Sequence, residues 1–176
     1  MNSNTHNRVF ALDLHPLSFG YALFEGPDDL IDWGIKNFRH GVNAVKVPLD
    51  VKLGLLLDQY TPEVVVIREP KTVALKNMAE TITALAKHRG IPMRIISRSS
   101  AQAAFPDVGR NKYQIASVIA GRYPELSPRL GPRRKVWQAE RYSMSIFVAA
   151  AIGLATFAGS AAPDSDDDRT LSPLPR

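Results

Sequence analysis

The chain has 176 residues, enough for one domain, and 45% of them are hydrophobic, which excludes wholesale disorder. It contains no cysteine, so disulfides, thiolate zinc sites and cysteine nucleophiles are excluded. The formal net charge is +5, and the cations cluster: Arg110, Lys112, Arg122, Arg129, Arg133, Arg134, Lys135 and Arg141 stand against only Glu125 and Glu140, a balance that suits a polyanion, chiefly nucleic acid, beside the simpler reading of solubility.

Residues 1–7 are polar and read as a flexible N-terminus. Only a short apolar run follows them, unlike a signal peptide, so nothing argues for secretion and a cytoplasmic setting is expected. Arg8–Leu14 (RVFALDL) is a buried strand, and the turn residues HPLS connect it to a second strand, Phe19–Glu25 (FGYALFE). Ile31–Asn37 alternates and forms a third strand, completing an antiparallel meander. In Asn43–Tyr60, Val47, Val51, Leu55 and Leu56 recur at helical spacing, with Pro48 in the first turn and Thr61-Pro62 as the stop. The β-branched run Val64–Ile67 is a strand covered on both faces, and it runs into Arg68-Glu69-Pro70.

Thr72–Arg89 is a long helix capped by Gly90, and Met93–Ile96 is the next strand. Ser99–Phe105 is a short turn or helix, Lys112–Arg122 a further helix, and Tyr123–Val136 a basic loop with three prolines. The final helix is expected over Glu140–Ala158. The nearly uncharged run Ile146–Ala162 falls a little short of the roughly 20 residues of a membrane span and reads as a buried helix. Residues 161–176 form a disordered tail of net charge −2, with four aspartates against two arginines. The order β-β-β-α-β-α-β-α-α predicts an α/β domain over 8–160: a mixed sheet, three antiparallel strands then two parallel, flanked by helices.

Two acids end apolar strands, Asp13 after VFAL and Glu69 after VVVIR. Strand ends of an open α/β sheet are where ligands gather. If these two strands are neighbours, the carboxylates converge and repel unless a hard cation neutralises them, as magnesium or manganese does. Two such ions about 4 Å apart activate water on a phosphodiester. The structural alternative is that Asp13 accepts hydrogen bonds from the HPLS turn.

The segment VFALDLHPLSFGYALFE resembles the first hairpin of the RuvC family of Holliday junction resolvases, with Asp13, Ser18, Gly20 and Tyr21 in the family's places. PEVVVIREP resembles its second motif, an apolar strand ending on a glutamate, matched by Glu69. TALAKHRGIPMRIISRSSAQAAF and VGRNKYQIASVIA resemble the helix, strand and lysine-bearing helix that follow, with Lys112 as the lysine. The resemblance runs over residues 8–158. It implies an RNase H-like fold, a Mg2+- or Mn2+-dependent endonuclease acting on branched DNA in recombination or repair, and a homodimer. It implies Asp13, Glu69 and Glu140 as catalytic metal ligands. Lys71, Arg110, Lys112, Arg133, Arg134 and Lys135 are the expected DNA contacts.

The final helix departs from the family, which carries two acids, or a His and an Asp, there, three residues apart. Aligned on Glu140, the second acid's place is Ser143. Aligned on the alanine-rich run, the two places are Ser145 and Val148, and both acids are missing. Glu140 is preferred as the surviving ligand. His15 is a further candidate for phosphate or metal contact, with a solvated turn histidine as its plainer reading. The departure keeps a second function class open: a catalytically inactive module of the same fold that binds nucleic acid or protein. A sugar-kinase-like ATP-binding fragment is a third reading, for which HPLS is a poor phosphate turn.

Overall fold

The computed structural model describes residues 8–38, 47–108, 111–133, 135 and 141–160. Five strands form one sheet in the order β3-β2-β1-β4-β5: β1 Arg8–His15, β2 Ser18–Glu25, β3 Leu30–Asn37, β4 Val64–Arg68 and β5 Met93–Ile96. The first three pair antiparallel, whereas β4 and β5 run parallel to β1. This is the mixed sheet that the element order predicts.

Among the described residues, six helices flank it: α1 Leu49–Tyr60, α2 Val73–His88, α3 Arg98–Ala103, α4 Lys112–Arg122, α5 Ser127–Leu130 and α6 Met144–Ser160. Side chains alternate across a strand, so the two faces of β1 carry different sets. Phe10, Leu12 and Leu14 pack with Leu53 and Leu57 of α1 and Ile82 of α2. Val9 and Ala11 face the other way, toward Ile152 of α6. Helix α6 also packs with α4 and with Ala22 and Phe24 of β2. Every residue from Ile146 to Ala155 other than Val148 is buried, which explains the uncharged run without a membrane. Among the described residues, no helix is long and apolar enough to cross one.

The largest differences from the expected elements lie at α1, at the basic loop and at α6. Helix α1 starts at Leu49, with Pro48 as its N-cap, while residues 43–46 lie outside the described ones. It ends on Thr61, whose φ of 43° lets its N–H reach the carbonyl of Leu57. The expected basic loop instead folds into a 3-10 turn at Pro124–Leu126 and then α5, because Pro124 and Pro128 each suit a first turn and Leu126 is fully buried. Helix α6 begins at Met144, four residues later than expected. Arg141–Ser143 precede it without helical structure, and Glu140 lies outside the described residues.

Candidate functional site

Asp13 lies near the end of β1 and is only 1% exposed. Strand alternation turns it to the same face as Val9 and Ala11, toward α6. Among the described residues, three side chains meet its carboxylate. His15 Nε2 lies 2.9 Å from Oδ2, and the Ser145 hydroxyl donates to the same oxygen at 3.1 Å. Arg68 Nε lies 2.9 Å from Oδ1. That last contact is an ion pair without an aligned hydrogen bond, so Oδ1 is a buried acceptor held by charge alone.

The strand register explains why Arg68 is there. Val9 pairs with Val64, Ala11 with Val66 and Leu12 with Ile67. One step further sets Asp13 beside Arg68. Val64 and Val66 belong to the same apolar cluster as Val9 and Ala11, so Arg68 shares Asp13's face. Glu69 is one residue on. Its N–H continues the ladder to the carbonyl of Ile96 at 3.0 Å, which gives it the strand parity opposite to that of Arg68. Glu69 is exposed and borders a shallow depression with Lys71, Leu75 and Arg98.

Ser145 is brought in by helix α6. β2 pairs Gly20 with Asp13, and the helix rests directly on that glycine. A Cβ at Gly20 would fall 2.7 Å from the Ser145 carbonyl carbon, closer than packed atoms tolerate. Gly153 allows a second close approach, onto Phe24 and Ala11. Of the two registers considered for the final helix, the alanine-run register is the one that has Ser145 over the sheet. Val148 lies one turn on and borders a cavity between β4, α3, α4 and α6.

The remaining candidates are spread out. Lys112 opens α4, whose N-terminus is capped by the Asn111 side chain, and it borders the same cavity with Arg68 and Arg98. Lys71 is exposed beyond β4. Arg133 and Lys135 are exposed, and Arg133 borders a separate depression beside Tyr113. Arg110, Arg134 and Glu140 lie outside the described residues.

Solved structures with this arrangement include Thermus thermophilus RuvC in complex with a Holliday junction substrate, at 14% identity and a TM-score of 0.61, covering 87% of this chain and 95% of that one. A second T. thermophilus RuvC structure matches at 16% identity with the same TM-score and coverage. The fowlpox virus resolvase bound to Holliday junction DNA matches at 10% identity and 0.54, over 88% of this chain and 99% of that one. The fold is RNase H-like. No protein-family model matches the sequence, and no curated protein matches it.

The resemblance implies Asp13 as a metal ligand, but its described surroundings do not fit a divalent ion. Such an ion needs several hard oxygens. Among the described residues, no three His, Cys, Asp or Glu side chains gather to hold a metal. Asp13 instead contacts a guanidinium, whose charge opposes a dication on that side.

Arg68, Arg98 and the Ser145 contact with Asp13 are not among the site residues expected from the sequence. Arg68 carried a usable signal: it has the strand parity of Val64 and Val66, as Asp13 has that of Val9 and Ala11. Reading it required the β1–β4 register.

Proposed function

We propose that this chain binds branched DNA through its phosphates and that the Asp13 centre does not cut it. The observation that carries the second half is the Arg68–Asp13 contact at 2.9 Å. An RNase H-like centre that cuts needs clustered carboxylates bridged by cations. Here Arg68 supplies the neutralising charge from within the protein. A cluster of bare carboxylates repels phosphate, whereas this sheet edge carries Arg68, Arg98 and Lys112 around one buried acid. DNA binding in this reading needs no metal. The first half is supported by the basic balance of residues 110–141 and by the RuvC and fowlpox virus resolvase structures, which hold Holliday junction DNA.

A specific observation also favours the nuclease reading, in which Asp13, Glu69 and Glu140 hold Mg2+ or Mn2+. Asp13 Oδ1 is buried without a hydrogen bond, the state of an oxygen awaiting a ligand. One experiment separates the two. A labelled four-way junction is incubated with the protein in EDTA, magnesium or manganese, then run on native and denaturing gels. The proposal expects retardation in all three and no cut strand. Cleavage in either metal that disappears in Asp13→Asn establishes the nuclease reading instead.

A further inference from the structure

A cavity of about 300 Å3 lies between β4, α3, α4 and α6, and Arg68 belongs both to its lining and to the Asp13 cluster. Three alanines make the room: Ala101 of α3, Ala116 of α4 and Ala151 of α6 each bring only a methyl group to it. Phe147, Val148 and Ile152 of α6 continue the apolar lining. Phe147 and Ile152 are buried, whereas Arg98 is exposed, so the cavity opens to solvent on the Arg98 side. Charge does not choose its occupant. Arg68 faces Asp13, Lys112 has a partner within the chain, and Glu69 borders the adjoining depression together with Arg68 and Arg98. Shape and polarity do: walls of this kind select an uncharged body with apolar faces. Interiors leave few voids larger than a water molecule, so an apolar space of this size invites an occupant.

We propose that this cavity takes up one unpaired base of a bound DNA strand. The inference rests on the DNA reading above and adds a contact that phosphates cannot make. A nucleobase is uncharged, has apolar faces and carries its hydrogen-bonding groups on its edge. Extruded bases are held between aromatic and apolar side chains, and leaving the stack costs least where pairing is already lost. Branched DNA presents such bases more readily than a plain duplex. The cavity is continuous with the sheet edge at Asp13 and Arg68, the edge that the DNA reading uses. A base seated there gives the protein a preference for disrupted DNA without a metal and without reading sequence.

Two DNAs with the same number of phosphates separate the base from the backbone: a duplex carrying one bulged thymidine, and the same duplex with an abasic residue in the bulge. Filter binding of the full chain at one salt concentration compares them. The thymine bulge is expected to bind about tenfold tighter, the order of one base stacked against side chains. Val148→Phe, at a half-buried position, fills the cavity from α6 and brings the two affinities together. Ala101→Leu, also half-buried, does the same from α3 and serves where the α6 variant fails to melt cooperatively. Equal affinity of the parent for the two bulges overturns the proposal and leaves the DNA reading standing. A tenfold preference that survives in either folded variant also overturns it, because the base then sits elsewhere. Absence of binding to both DNAs removes the DNA reading and this inference with it.

Discussion

Asp13 and Arg68 stand side by side on β1 and β4, 2.9 Å apart, where one carboxylate and one guanidinium meet on the helix α6 face of the sheet. The neighbouring acid, Glu69, belongs to the opposite parity. A single step along β4 therefore decides whether a guanidinium or a carboxylate has the strand parity of Asp13.

Truncating Arg68 leaves a buried carboxylate without its counter-charge. Arg68→Ala is expected to cost about 1–3 kcal/mol, below the range for fully buried pairs because the Arg68 side chain is 33% exposed. Asp13→Asn removes the charge with the shape kept and is expected to cost less. The Arg68→Ala/Asp13→Asn protein recovers part of the Arg68→Ala loss. Urea unfolding of the four proteins measures the coupling, and additive effects refute it.

Arg68→Glu with Ser145→Asp sets three carboxylates around the position of Asp13. This variant is expected to bind Mn2+ at pH 7 with an affinity that calorimetry resolves, while the parent binds none at this centre. Stoichiometric Mn2+ binding by the parent that is lost in Asp13→Asn contradicts the internal ion pair as the neutralising charge.

The proposed DNA contact is to phosphates, so affinity falls steeply as salt rises. Replacing Arg133, Arg134 and Lys135 with Ala is expected to flatten the slope of log K against log salt by up to about one unit per lost contact. Filter binding at several salt concentrations gives the slope. An unchanged slope removes this segment from the interface.

Glycines at two places make opposite predictions. Gly20→Ala drives a methyl into the Ser145 backbone and is expected to cost about 1–3 kcal/mol. Gly121, inside α4, has open space around an added Cβ, and Gly121→Ala is expected to stabilise by about 0.5–1 kcal/mol. Thermal melts of the two variants check the sign of each.

Alkaline pH acts through Tyr21 and Tyr60, both of which donate to the Asp32 carboxylate. Burial, together with Asp32, raises the Tyr21 hydroxyl well above its ordinary value, and desolvation with the Asp32 hydrogen bond pushes Tyr60 up to about 12. The unfolded chain therefore loses these protons first, near pH 10. Stability is full below that pH and falls as pH rises through about 12. Denaturant midpoints from pH 8 to 12 follow the loss, which is reduced in Tyr60→Phe.

Much of the fold was legible because its signals are local. HPLS marks the first turn, VVVI a strand covered twice, and Gly90 the end of α2 at a φ of +69°. Asp13 stood out as an acid closing an apolar strand. The rest of the centre depends on pairing, which no local pattern encodes. Choosing Arg68 over Glu69 requires the β1–β4 register, because a shift of one residue exchanges the two faces. Ser145 depends on where α6 begins and on how closely Gly20 lets it approach. The alanine-rich run made the helix evident but left its position along the sheet open.

Helix α6 is the last described element, yet it covers strands formed from residues 8–25 and 64–68. During synthesis the sheet emerges long before its lid. Ala11, Phe24 and Val66 are then wetted until residues 144–160 leave the ribosome. Closure across more than 100 residues of sequence carries a large loop entropy, so the nascent chain passes through a stage with one finished core and one open apolar face. That stage is where this protein is most exposed to aggregation and most in need of a chaperone.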